Sequence, residues 1–255
     1  MSRFNNKVVA ITGGSGGIGI AAGKLFSSEG AKVLLVDLDE DTLKKAVVEI
    51  GSDDVSYTVA DVTVADQVEN YTRVAVDRYG GLDILLANAG IEGCVAPITD
   101  YPLETFQKVL DVNVTGVWLG IKYAMPEMIK RGGGSIVITS SVAGVRGAPG
   151  LSAYTTSKHA TVGMMRSASN EGAPFGIRVN TVNPSPVETR MMRSLEEGIA
   201  PGAGEEAKQG FSSMIPLGRY GEPSEVADIM AFLASDAAAF CTGGVYMVDG
   251  GMSSN

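Results

Sequence analysis

Tyr154 and Lys158 stand four residues apart in the run Tyr154-Thr155-Thr156-Ser157-Lys158. On a helix this spacing puts a phenol and an ammonium on one face. A free phenol titrates near ~10, so it carries protons poorly at neutral pH. A neighbouring ammonium favours the phenolate and lowers that value. Tyr154 is then suited to remove an alcohol proton while hydride leaves the same carbon. The same pair also decorates solvated helix faces, so by itself it leaves both readings open. A second chemical segment, Thr12-Gly13-Gly14-Ser15-Gly16-Gly17-Ile18-Gly19, follows the apolar run Val8-Val9-Ala10-Ile11. Between a strand and a helix, such a loop cradles a pyrophosphate. Gly13 permits a tight turn, and Gly17 and Gly19 remove Cβ atoms where backbone must approach phosphate or sheet. The helix beginning near Ile18 directs unpaired N–H groups at the anion. An ordinary Gly-rich turn, or a methyltransferase's nucleoside site, would use the same loop. Loop and pair together, in this order, point to a nicotinamide-dependent oxidoreductase.

Asp37 lies eighteen residues after Gly19, at the end of a second apolar run. That is close to the ~20 expected of an acidic residue that binds the adenine ribose. Its carboxylate accepts from both ribose hydroxyls and repels the 2′-phosphate of NADP. Leu38-Asp39-Glu40 follows, without an arginine, and position 16 is Gly rather than a basic residue. NAD is therefore the expected cofactor.

These residues need a scaffold. β-branched runs at 8–12, 32–36, 55–59, 82–87, 135–139, 178–182 and 245–248 predict seven strands. Helical spacing predicts helices over 18–28, 40–50, 64–79, 153–171 and 223–234, and a long broken one over 103–130. Further helix is expected within 189–209. Strands alternating with helices imply right-handed crossovers and a parallel sheet covered on both faces. The expected fold class is α/β, a doubly wound parallel sheet of about seven strands, in one domain spanning 1–255. Residues 199–210, with Pro201, Gly202 and Gly204, are the most loop-like and suggest a mobile substrate lid within 188–211.

Composition narrows the function classes. Twenty Lys and Arg against 29 Asp and Glu leave a formal charge of −9, which speaks against nucleic acid and an anionic membrane surface. No apolar stretch reaches the ~20 residues of a membrane span. Cys94 and Cys241 make no disulfide framework, and free thiols fit a cytoplasmic location. With His159 the single histidine, no metal site is expected.

Over its whole length the chain resembles the short-chain dehydrogenase/reductase family. The markers are the Thr12–Gly19 loop, Asp61-Val62, Asn88-Ala89-Gly90, Asn113, Ser140-Ser141, Tyr154 with Lys158, and Asn183-Pro184, in the family's order. The resemblance implies a Rossmann-type fold and the following roles. Tyr154 is the acid/base, and Lys158 bonds the nicotinamide ribose and depresses the tyrosine pKa. Ser141 holds the substrate oxygen, and Asn113 anchors a water linking Lys158 to solvent. Gly13, Ser15, Gly17, Ile18, Gly19, Asp37 and Leu38 contact the adenosine and pyrophosphate. Asp61 and Val62 flank the adenine, and Asn88, Ala89 and Gly90 line the pocket. Pro184, Val187 and Thr189 meet the nicotinamide end. Two departures stand out: Ala87 precedes Asn88 where the family often has Asn, and Ser185 replaces a usual Gly.

Other residues fit blander roles. His159, one step from Lys158, turns to another face. Arg146 at the pocket rim is a solvated arginine before it is a carboxylate binder, and Trp118 suits core or interface. Cys94 borders the site without a nucleophile's context. The expected protein is an NAD-dependent dehydrogenase of a secondary alcohol or ketone, assembled as a homotetramer or homodimer. The alternatives are an NADPH-dependent ketoreductase of the 3-ketoacyl type and a non-catalytic dinucleotide sensor.

Overall fold

Alternate residues of the central strands belong to two different cores. Val8 and Ala10 face one apolar cluster with Leu34, Val36, Leu85, Ile136 and Ile138. Val9 and Ile11 face another with Val33, Leu35, Ile84, Leu86 and Val137. Successive side chains of a strand point to opposite faces, so these runs are apolar throughout because both faces are covered.

The computed structural model describes residues 2–254. Its strands are β1 (Val8–Thr12), β2 (Lys32–Asp37), β3 (Val55–Val59), β4 (Ile84–Ala87), β5 (Gly134–Thr139), β6 (Ile177–Pro184) and β7 (Val245–Val248). They form one seven-stranded sheet in the order β3-β2-β1-β4-β5-β6-β7. Every pairing is parallel. Helices α1 (Gly17–Ser28), α2 (Glu40–Ile50) and α9 (Pro223–Ala234) cover one face; α3 (Ala65–Tyr79), α5 (Gly116–Arg131) and α6 (Ser152–Gly172) cover the other. The chain winds outward from β1 to β3 and then returns to β4 beside β1. In a doubly wound sheet, the crevice beyond the strand ends at that reversal receives ligands.

Several expectations shift. β4 begins at Ile84 rather than at residue 82; the Asp83 backbone still bonds Val8 and Ser135, and its carboxylate accepts the Val8 N–H at 2.9 Å and Arg131 at 3.0 Å. β6 runs on to Pro184, past the last β5 pairing at Val182. Pro184 therefore needs to satisfy only β7. The broken helix expected over 103–130 is α4 (Leu103–Leu110), a π-turn (Asp111–Thr115) and α5. The segment 199–210 is not chiefly loop. α7 (Arg190–Ile199) and α8 (Gly204–Ser213) leave only four residues between them. Acidic Glu205 and Glu206 in its first turn suit the α8 N-terminus and offset the glycines. Ser185, where Gly was the usual choice, has no positive φ, so its side chain strains nothing.

Candidate active site

The glycine loop joins β1 to α1 at the strand reversal. Gly13 has φ 64°, a left-handed value that glycine adopts freely. A Cβ on Gly19 would stand 2.3 Å from the Gly13 carbonyl oxygen, so the turn closes only without it. The first bond onto the helix is Ile20 N–H to Gly16 O at 2.8 Å. The N–H groups of Gly17, Ile18 and Gly19 therefore lack intrahelical acceptors and open outward, as an anion requires. Thr189 approaches this loop from far along the chain. Its methyl would lie 3.3 Å from a Cβ built on Gly17.

Asp37 closes β2 beside the loop. Its Oδ2 accepts the Ser15 N–H at 3.1 Å and the Ser15 hydroxyl at 2.6 Å, and its Oδ1 accepts the Leu38 N–H at 2.8 Å. Three of about four acceptor sites are thus engaged, which aims the carboxylate. The following Leu38 is 62% exposed, on the rim of the crevice. The residues present fit a dinucleotide: a Cβ-free cradle for the pyrophosphate and an aimed carboxylate for a ribose. Asp61 is held in a local turn, accepting the Thr63 N–H at 2.8 Å. Val62 is buried, within 2.8 Å of a Cβ added to Gly116.

Behind the loop lies a set of partly buried polar contacts that sequence reasoning did not find. Thr12 Oγ1 accepts the N–H groups of Asn88 and Ala89 at 3.0 and 3.1 Å. The Asn88 amide donates to the Thr12 carbonyl at 3.2 Å and accepts from Thr139 Oγ1 at 3.0 Å. The signal available was a threonine closing each of two apolar strands.

Lys158 is only 4% exposed, and its Nζ donates to the Thr139 carbonyl at 2.8 Å. Nζ lies 5.4 Å from the Tyr154 ring centroid. A Cβ on Gly90 would approach that Nζ to 3.4 Å, so Gly90 borders the same space. Ser141 follows β5. Its Oγ accepts the Ala143 N–H at 3.1 Å. The neighbouring Ser140 turns the other way, donating to the Lys158 carbonyl at 3.0 Å. Asn183 Nδ2 donates to the Ser141 carbonyl at 2.8 Å and steadies the segment.

Asn113 sits in the π-turn, fully buried. A π-turn inside a helix frequently marks a functional position. Its Oδ1 accepts the Ile91 N–H at 2.8 Å; its Nδ2 donates to the Ile91 carbonyl at 2.9 Å and to Ser157 Oγ at 3.0 Å. Both amide hydrogens are committed to protein.

The electrostatics differ from the simple expectation. Burial pushes the Tyr154 phenol up to about 12, Ser141's hydrogen bond pulls it down, and the charge of Glu92 raises it further. Burial pushes Lys158 down to about 8. Burial is the dominant influence on the phenol, because it disfavours the charged phenolate.

Val187 is buried, and Glu188 N–H donates to the Gly221 carbonyl at 2.9 Å. Arg146 donates to the Met252 carbonyl, tying the 142–151 loop to the C-terminal segment. His159 turns outward and contacts the Thr155 carbonyl at 2.9 Å. Cys94 and Cys241 are both free. Among the described residues no group of three His, Cys, Asp or Glu is placed to hold a metal ion, and no helix is long and apolar enough to cross a membrane.

Known proteins share both the sequence and the fold. A family model described as enoyl-(acyl carrier protein) reductase matches residues 13–253. Levodione reductase of Leifsonia aquatica is 38% identical over 256 residues, covering 99% of this chain and 96% of that protein. The crystal structure of levodione reductase superposes with a TM-score of 0.96, covering 99% of each chain. Short-chain dehydrogenase reductase 3a of Arabidopsis thaliana is 40% identical over 252 residues, covering 98% of this chain and 96% of that protein. The structure of an NAD+-bound xylitol dehydrogenase is 33% identical with a TM-score of 0.90, covering 96% of this chain and 98% of that one.

Proposed function

The chain belongs to the short-chain dehydrogenase/reductase family of oxidoreductases, and from that premise we propose that it is an NAD-dependent dehydrogenase of a secondary alcohol or its ketone. The observation that carries this reading is the convergence of Ser141, Tyr154 and Lys158 at the strand reversal, beside a glycine cradle and the Asp37 carboxylate.

The chemistry divides among the residues as follows. When bound, the nicotinamide supplies or accepts the hydride and, in its oxidised form, adds positive charge to the site. Ser141 holds the substrate oxygen by its hydroxyl. Tyr154 takes the alcohol proton on oxidation and returns it on reduction. Its phenol is held up by burial, so it needs cationic neighbours in addition to Lys158 to release a proton near neutrality. Lys158, set by the Thr139 carbonyl, is placed for a ribose hydroxyl and the phenolate. Asn113 fixes the Ile91 backbone and, through Ser157, the first turns of α6. Asp37 favours NAD because a carboxylate repels a 2′-phosphate, and similarity to the NAD+-bound xylitol dehydrogenase supports the same choice.

The remaining assignments follow from this reading. The α7–α8 segment, within 188–211, is the substrate lid. The chain acts as one catalytic domain, as a homotetramer or homodimer, in the cytoplasm, where Cys94 and Cys241 stay reduced. A panel of secondary alcohols with NAD, followed at the nicotinamide absorbance, tests the reaction class. Tyr154→Phe should lower turnover by at least ~10²-fold while leaving NAD binding nearly intact. No turnover across the panel overturns the reaction class; substantial turnover by Tyr154→Phe overturns the role of Tyr154.

A further inference from the structure

α8 has little of its own to hold it. None of its residues is buried, and Phe211 gives it a partly buried apolar contact. Among the described residues, the only ion pair that α8 makes is Lys208 Nζ to Glu188 Oε1, at 2.6 Å. Helices packed this thinly belong to the part of a fold that opens locally. What Glu188 does therefore decides how α8 is held.

Glu188 is fixed on both sides. Its other oxygen, Oε2, accepts Arg193 of α7 at 2.7 Å. Arg193 also pairs with Glu196 at 2.9 Å, and the Tyr220 hydroxyl donates to the Glu196 carboxylate at 2.9 Å. The Tyr220 ring faces both cations, Lys208 Nζ at 5.5 Å and the Arg193 guanidinium at 5.6 Å from its centroid. Two carboxylates and two cations thus close a neutral ring about one phenol. Glu196 and Tyr220 are buried, and a buried carboxylate needs its partners, which fixes the ring in place. The Glu188 backbone is tied to the Gly221 carbonyl at 2.9 Å. The Thr189 methyl and the Glu188 carbonyl oxygen lie 3.3 and 4.0 Å from a Cβ built on Gly17. Residues 188 and 189 therefore pack on the glycine loop, and a group held in that loop borders them.

We propose that Glu188 is a positioning residue that couples two parts of this site: by gripping Lys208 it makes the lid helix α8 follow the 188–189 segment, so that α8 is ordered when the glycine loop is occupied. This rests on the reading of that loop as the NAD site. The Glu188 and Lys208 side chains are 32% and 28% exposed, so their pair shifts local opening several-fold rather than by orders of magnitude. The coupling is reciprocal, because two sites that bias one element bias each other equally.

The test reads hydrogen exchange of residues 204–213 in the full-length protein, with and without NAD, beside NAD affinity by calorimetry. In wild type, NAD should slow exchange over 204–213 by at least ~3-fold. Lys208→Met cuts the link and leaves the glycine loop untouched. It should bind NAD within about threefold of wild type yet lose the slowing, and Lys208→Arg, which keeps the cation, should regain it. Should Lys208→Met fold poorly, Glu188→Gln removes the charge from the other side of the pair and should show the same loss. A merely structural pair would leave the NAD effect intact and raise exchange equally in both states; that result overturns the proposal. So does a wild type that binds NAD with no change over 204–213. If wild type binds no NAD, the reading of the glycine loop itself fails and this proposal fails with it.

Discussion

Ser15 donates both its backbone N–H and its hydroxyl to one oxygen of Asp37, at 3.1 and 2.6 Å. The first residue sits in the glycine loop after β1 and the second at the end of the neighbouring strand. The pair locks the loop and the strand end into one geometry.

Cofactor choice should follow from that lock. Wild type should use NAD over NADP by a large margin. Asp37→Ala combined with Leu38→Arg removes the repelling carboxylate and places a cation on the exposed rim, so the ratio of kcat/KM for the two cofactors should shrink or invert. Equal use of both cofactors by the unmodified protein would remove Asp37 from the explanation.

The pH dependence has two parts. Alcohol oxidation needs the Tyr154 phenolate, so its rate should rise with pH; ketone reduction needs the phenol, so its rate should fall. The midpoint for reduction should be higher, because the reduced nicotinamide has lost its positive charge. Two profiles rising together, with product release shown not to limit either, would exclude Tyr154 as acid/base.

Stability carries its own signature of buried Lys158. Its folded value, about 8, lies below the ordinary 10.5, so the unfolded chain holds more protons between those values. Folding stability should therefore rise with pH through that window from this group. Tyr154, pushed up to about 12 from 10.0, acts oppositely above pH 10. Lys158→Met should abolish turnover and remove the rise between about 8 and 10.5, read as Tm against pH beside wild type. An identical slope in both proteins would contradict the buried-ammonium argument.

Glycine at position 19 should be irreplaceable. The Cβ of Gly19→Ala would meet the Gly13 carbonyl oxygen at 2.3 Å and Gly14 Cα at 2.9 Å, all backbone. Overpacking against backbone costs about 1–3 kcal/mol or more, and the cradle would open. A lowered Tm and weakened NAD binding are expected by calorimetry. Gly210→Ala in α8 is the control: nothing lies within 4 Å of its Cβ, so stability should hold or rise by up to ~1 kcal/mol.

Assembly should show as a tetramer or dimer in light scattering at micromolar concentration. Trp118 on α5 is 50% exposed, and Phe240 in the loop leading to edge strand β7 is wholly exposed. Apolar side chains of this size at a sheet edge and on a covering helix favour contact with a second copy. A monomer at that concentration would refute the assignment.

Local patterning was enough to place most elements. The β-branched runs and helical periods, read singly, fall on β1, β3, β7, α2 and α9 with matching bounds. Strand periodicity and capping act over a few residues, so they are legible in a single sequence. The lid was not. Pro201, Gly202 and Gly204 suggested loop over 199–210, yet α8 starts at Gly204, held by packing of Phe211 beside Ile215 and Tyr220. Tertiary contact overrode propensity there.

The sequence by itself determined which residues are candidates for chemistry: a glycine loop after an apolar strand, an acidic strand end, and a phenol four residues from an ammonium. These depend on residue type and short spacing, which survive without coordinates. Only the tertiary structure decided how they act on one another. Thr12 and Thr139 became the fixing points of Asn88 because adjacent parallel strands bring residues 76 and 51 positions away into contact, and Thr139 fixes Lys158 because α6 packs its lysine against the end of β5. The helix break that exposes Asn113 to Ile91, and the burial that raises Tyr154, arise from three-dimensional packing. Desolvation depends on everything surrounding a group, and no local spacing encodes that.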